Sequence, residues 1–107
     1  SLIAEGCNIY GTVDFSVLFS GVTVEADAQV RDSIVMPGAV VKKGAVVQYA
    51  IVAEDAVIGE NSVVGMRPEQ VDNKGDWGIA VIGGGAVLPA GSVVKPKEMV
   101  DVDHMEG

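Results

Sequence analysis

A 17-residue repeat runs through the middle of the chain and limits what it can fold into. The segments GTVDFSVL, AQVRDSIV and AVVQYAIV begin at Gly11, Ala28 and Ala45 and align without a gap. A repeat of this length is typical of solenoids, in which each unit buries its apolar face only against its neighbours. The repeat therefore favours a solenoid over a β-sandwich or a closed barrel.

Within each unit the apolar positions recur at steps of five, six and six. They form three series: Val13, Val30 and Val47; Leu18, Val35 and Val52; Val24, Val41 and Ile58. We interpret the residues four positions after each as a second inward set, which includes Val17, Ile34 and Ile51 on the first face. The pattern predicts three short strands per coil, stacked into a triangular prism of parallel strands. A helix is disfavoured because no segment keeps the period of an α-helix and the chain has 14 glycines.

The predicted fold is all-β, a hexapeptide-repeat solenoid of about five coils over residues 1–95. The hexapeptide pattern resembles that of single-stranded left-handed parallel β-helices, and the left-handed winding is taken from this resemblance. The repeat requires the counterpart of Ile58 at position 75, but the matching apolar residue is Ile82. This delay of seven positions predicts one loop insertion near residues 66–78. Residues 96–107 are predicted to form an acidic tail.

The phase of the repeat and the amino-acid composition indicate the molecular context of the chain. Ser1–Gly6 matches Ser16–Gly21, so the repeat opens partway through a coil, and we expect a fragment whose preceding domain is missing. The net charge of −8 argues against nucleic-acid and anionic-membrane partners, because phosphate binding requires a basic surface. With one cysteine and no long apolar run, the chain is expected to be soluble and cytoplasmic.

The sequence offers no catalytic, cofactor-binding or metal-binding motif. The one histidine, His104, lies in the tail, and a zinc site of the γ-carbonic-anhydrase kind would need three. The glycines at 83–85 lack the Lys-Ser or Lys-Thr pair of a P-loop. Possible effector or interface contacts are Lys42, Lys43, Arg67 and Trp77. The alternatives are a solvated corner for the two lysines and packing against the prism for the tryptophan.

Several segments are more specific than a generic hexapeptide repeat. SLIAEGC at Ser1, SVL at Ser16, VRDSIVMPGA at Val30 and AIV at Ala50 resemble the C-terminal β-helix of bacterial glucose-1-phosphate adenylyltransferase (ADP-glucose pyrophosphorylase). The resemblance implies a non-catalytic assembly and allosteric domain that contacts its own N-terminal catalytic domain and forms homo- or hetero-oligomers. It further implies that the missing catalytic domain uses ATP and Mg²⁺ to make ADP-glucose for glycogen synthesis.

The sequence leaves two other functions open. A hexapeptide-repeat acyltransferase would need a histidine in the prism as general base, and the sequence has none there. A free-standing scaffold would only self-associate.

Overall fold

The structure is a computed structural model that describes residues 1–67, 69, 75 and 78–100. Short strands dominate it, as expected for a chain rich in β-branched residues and glycine corners. In chain order the strands of the described residues are β1 (Leu2–Ile3), β2 (Asn8–Ile9), β3 (Thr12–Asp14), β4 (Val17–Leu18), β5 (Thr23–Val24), β6 (Gln29–Arg31), β7 (Ile34–Val35), β8 (Val40–Val41), β9 (Val46–Gln48), β10 (Ala50–Val52), β11 (Val57–Ile58), β12 (Val63–Val64), β13 (Ala80–Ile82), β14 (Val93–Val94) and β15 (Met99–Val100).

The strands form three parallel sheets, one on each side of a β-solenoid of about five turns, as predicted. The first sheet has the order β1-β4-β7-β10-β13-β15, the second β11-β8-β5-β2, and the third β14-β12-β9-β6-β3. In the repeat units, paired residues are separated by one repeat length, as in Val24↔Val41 and Val30↔Val47. No α-helix occurs among the residues that the structure describes.

The core is the stack of inward side chains predicted from the three apolar series. Each coil contributes one large branched residue per sheet and smaller ones such as Ala39 and Ala45 next to the corners. Because equivalent positions lie directly above one another, each side chain packs mainly against its counterparts one coil away. The fully buried large apolar residues are Leu18, Val22, Val24, Val30, Val35, Val41, Val47, Val52, Val64, Ile58 and Ile82.

The assignment of Val17, Ile34 and Ile51 to the interior was wrong. Ile34 is 39% exposed, whereas the next residue, Val35, is fully buried. Successive strand residues point to opposite faces, so a residue beside an inward one must face outward. The second inward position of this sheet is held instead by Ser16, Ser33 and Ala50.

The insertion is longer than the sequence predicted. Ile82 pairs with Val52 of the first sheet and does not stack on Ile58 of the second. The insertion is therefore longer than the predicted seven residues by one hexapeptide. The error arises because a slip of one hexapeptide places an equally apolar side chain on the next face of the prism. Strand β15, which pairs with β13, extends the first sheet beyond residue 95.

The outward surface of the first sheet differs from the other two. Its outer row, one residue per strand in register, is entirely apolar, whereas the rows of the second and third sheets begin with polar residues such as Asn8 and Thr12. Leu2 and Met99, at the two ends, are 65% and 61% exposed. This outer row consists of Leu2, Val17, Ile34, Ile51, Val81 and Met99.

Candidate functional site

The edge between the third and first sheets has an unusual backbone. Phe15, Asp32 and Tyr49 occupy the same corner in successive coils, with φ of 47°, 48° and 49°. The left-handed region costs non-glycine residues energy, and such strain concentrates at functional sites. Backbone hydrogen bonds hold the corner, since Asp32 N–H donates to Asp14 O at 3.0 Å and Tyr49 N–H to Arg31 O at 3.1 Å. We therefore take this edge as the candidate site.

A polar cleft of about 240 Å³ opens along this edge. Strands β3 and β6, the left-handed corner residues and the start of the insertion line it. Two guanidinium groups and three carboxylates line the space, together with two aromatic rings. The lining residues are Asp14, Phe15, Arg31, Asp32, Tyr49, Arg67 and Glu69.

The insertion reaches the cleft because of a contact between Gln48 and Gly65. The buried Gln48 side chain donates from Nε2 to Gly65 O at 3.2 Å. Gly65 has φ of 78°, and a Cβ at this position would collide with the Gln48 carbonyl oxygen. Only glycine can therefore leave the third sheet at this angle, and Arg67, two positions further on, lines the cleft.

The pKa of Tyr49 reflects the electrostatics of the cleft. It is half-buried, and burial raises the pKa of its phenol above 10.0, as do the charges of Asp32 and Glu69 and a hydrogen bond to Asp32. Arg67 acts in the opposite direction and lowers this pKa, but the carboxylates and burial outweigh it. The phenol therefore stays protonated at neutral pH and serves as a donor.

Arg31 is the other unusual group. Its Nε is closed to solvent and has no hydrogen-bond partner among the residues that the structure describes. Its neighbours in the ladder are Asp14 on one side and Gln48 on the other. A buried donor without an acceptor is costly and is rare in native structures.

The predicted contact residues that the structure describes, Lys42, Lys43 and Arg67, do not all come together. Lys42 and Lys43 are exposed on the edge between the second and third sheets, where Lys43 N–H donates to the Glu25 carboxylate at 3.1 Å. Arg67 lines the cleft on a different edge. Trp77 lies outside the described residues, as does His104. Their role as effector or interface contacts stays a prediction.

The sequence reasoning missed Arg31, Asp32 and Tyr49. A signal was available, because positions 15, 32 and 49 share one corner of the repeat and none is glycine. Apart from Lys97, the other left-handed corners among the described residues carry glycine, aspartate or asparagine, which adopt this conformation more easily. Phe15 and Tyr49, two bulky residues at this repeated corner, were therefore the feature to follow.

A second cavity, of about 540 Å³, is an apolar groove on the outside of the third sheet. Val63 and Val93 form its base, Met66 one rim, and the turn from Lys95 to Glu98 the other rim. The Lys97 ammonium donates to Gly75 O at 2.7 Å and ties the insertion to this turn. The insertion thus contributes neighbouring residues, Met66 and Arg67, to two separate cavities.

Two negative observations apply to the described residues. They contain no cluster of three histidine, cysteine, aspartate or glutamate side chains placed to hold a metal ion. Nor does any helix formed by them have the length and apolar character needed to cross a membrane.

Comparison with known proteins identifies the family. The chain is 67% identical over 39 residues to the glucose-1-phosphate adenylyltransferases of Bacillus anthracis, Bacillus mycoides (strain KBAB4) and Bacillus cereus (strain Q1). The aligned segment is 36% of this chain but only 10% of each relative's length. No solved structure gives a significant match. The family model for the GlmU-like C-terminal hexapeptide matches residues 1–88. The chain therefore belongs to the GlmU-like C-terminal hexapeptide family.

Proposed function

We propose that this chain is the non-catalytic assembly and regulatory β-helix domain of a glucose-1-phosphate adenylyltransferase. The 67% identity to enzymes of that name supports the proposal, although it covers 39 residues. The parent enzyme would act in the cytoplasm and convert ATP and glucose 1-phosphate to ADP-glucose and pyrophosphate for glycogen synthesis. Its N-terminal domain would hold ATP and Mg²⁺, and this chain would supply none of the reacting groups.

The observation that carries the assembly role is the apolar outer row of the first sheet. A continuous apolar stripe on a protein surface marks a place that another element covers. The opposite face of the same strands is already buried in the core, so the outer row is available only to a second body. We propose that the catalytic domain of the same polypeptide packs on it.

The regulatory role draws on the polar cleft. Arg67 and Glu69 belong to the insertion, whereas the other lining residues belong to the prism. A ligand held between these two parts would fix the insertion relative to the coils. The insertion also borders the apolar groove through Met66, so an effector in the cleft could change a neighbouring contact surface.

Two measurements test the catalytic assignment. Reading the gene upstream of the Ser1 codon should reveal a nucleotidyltransferase domain with a glycine-rich nucleotide-binding loop. Incubating this chain alone with ATP, glucose 1-phosphate and Mg²⁺ should give no ADP-glucose. An upstream sequence that codes for another kind of domain, or turnover by the chain itself, would overturn the proposal.

The docking surface is tested in the full-length protein with the double substitution Ile34→Lys and Ile51→Lys. We expect the catalytic domain to detach from the β-helix, seen as new protease cleavage between the domains and a lower activity. Gln29→Lys, on the outer row of the third sheet, is the matched control and should leave both unchanged. Equal behaviour of the two variants would contradict docking on the first sheet.

A further inference from the structure

We propose that the polar cleft binds a small carboxylic acid with an apolar body, and that Arg31 holds its carboxylate. The proposal concerns ligand binding by this chain alone, and it stands whether or not the chain serves an adenylyltransferase. Arg31 was absent from the contacts predicted from the sequence.

The first argument is the state of the Arg31 side chain. Its Nε is closed to solvent and lacks an acceptor among the described residues, although the side chain lines a cleft. Gln48, which pairs with Arg31 on the neighbouring strand, donates from its amide nitrogen to Gly65 O and does not supply the acceptor that Arg31 Nε lacks. A rotation of the guanidinium that brings its Nε–Nη edge to an acceptor in the cleft would remove this penalty, and a carboxylate fits that edge with two parallel hydrogen bonds.

The second argument is charge. The cleft sets the carboxylates of Asp14, Asp32 and Glu69 against two guanidinium groups. The raised pKa of Tyr49 agrees with this balance, because the nearby carboxylates outweigh Arg67 in its surroundings. A dianion such as sulfate would meet stronger repulsion from these groups than a single carboxylate, which can pair with one guanidinium. Among anions, this charge balance therefore favours a monoanion over a dianion.

The third argument is the aromatic rim. Phe15 is 84% exposed and holds a left-handed conformation that costs energy. With Tyr49 it gives the cleft two aromatic rings for an apolar or aromatic ligand body. The volume of about 240 Å³ equals that of about eight water molecules at ~30 Å³ each, which suits one ring with a carboxylate.

The test is a titration of the ¹⁵N-labelled chain with benzoate at pH 7, followed through the Nε–Hε signal of Arg31. Benzoate should shift this signal and saturate. Benzamide, which has the same ring without the charge, and the dianion sulfate at matched ionic strength should shift it at least tenfold more weakly. An unmoved signal, an equal response to benzamide, or tighter binding of sulfate would overturn the proposal.

Variants separate a binding role from a structural one. Arg31→Lys should weaken benzoate binding at least tenfold, because an ammonium cannot form the two parallel bonds. Arg31→Met should abolish binding and leave the thermal midpoint unchanged or raised, since it removes an unpaired buried donor. Lys43→Met, which removes a positive charge on another edge, should bind benzoate as the original chain does. Unaltered binding by Arg31→Lys, or a large drop in the midpoint of Arg31→Met, would contradict the proposal.

Discussion

The hydroxyl oxygen of Ser16 accepts a hydrogen bond from the backbone N–H of Ser33 at 3.1 Å, one coil further along the prism. The Ser33 hydroxyl does the same for Ala50 N–H at 3.2 Å. Each hydroxyl also donates to the carbonyl oxygen two positions earlier, at 2.8 Å for Ser16 and 2.7 Å for Ser33. Two buried serines thus satisfy backbone groups where the chain passes from the corner into the first sheet.

Replacing Ser33 with alanine should therefore destabilise the prism. The buried Ala50 N–H would lose its acceptor, which costs about 1–3 kcal/mol in the free energy of unfolding. Urea unfolding followed by circular dichroism measures this change. Ser20→Ala, at an exposed position, is the control and should stay within about 0.5 kcal/mol of the original chain. Equal values for the two variants would mean that the serine ladder contributes nothing.

Adjacent residues of strand β7 should respond very differently to an added charge. Val35→Asp would bury a carboxylate in the apolar core, and we expect the chain to lose its cooperative unfolding transition. Ile34→Asp places the same group on the outer row, where water can reach it, and should cost less than about 2 kcal/mol. Thermal unfolding distinguishes the two. Comparable losses of stability would contradict the inward orientation of Val35 and the outward orientation of Ile34.

The repeat made the core predictable because its inward positions are alike in every coil. Val24, Val41 and Ile58 differ little, so the spacing alone identified them. That same likeness concealed the register of Ile82, because neighbouring hexapeptides are interchangeable by their apolar pattern. Small inward residues were concealed too, since Ser16 and Ser33 look polar although their hydroxyls are used by the backbone.

The cleft was unpredictable for a different reason. Its ladder positions hold Asp14, Arg31 and Gln48, so the repeat has no common residue there to reveal a function. Arg67 reaches the cleft only because the insertion leaves the prism at Gly65, and the repeat contains no information about the path of an insertion. These groups come close together only in the folded chain, through the stacking of the coils and the path of the insertion.

Alanine substitutions at three glycines should change the stability of the chain to different extents, according to the backbone conformation at each glycine and the space around its added Cβ. Gly91→Ala tests the left-handed backbone alone, with φ of 74° and no atom near the added Cβ, and should cost about 1–2 kcal/mol. Gly65→Ala adds a collision with the Gln48 carbonyl and should cost about 1–3 kcal/mol more. Gly84→Ala has neither problem and should be neutral or slightly stabilising. Chemical unfolding tests this order, and a Gly65 variant as stable as the Gly91 variant would refute the collision.

Alkaline pH should weaken the fold through Tyr49. Its pKa is raised above 10.0 in the folded chain, so the folded state keeps the phenol proton where the unfolded state has lost it. This stabilisation is fully present below pH 10 and is lost as the pH rises through the folded pKa. The difference between phenolate absorbance titrations of the original chain and Tyr49→Phe gives the Tyr49 curve. Asp32→Asn should move that curve to lower pH, because a negative charge and a carboxylate acceptor are removed; an unmoved curve would exclude Asp32 as a cause.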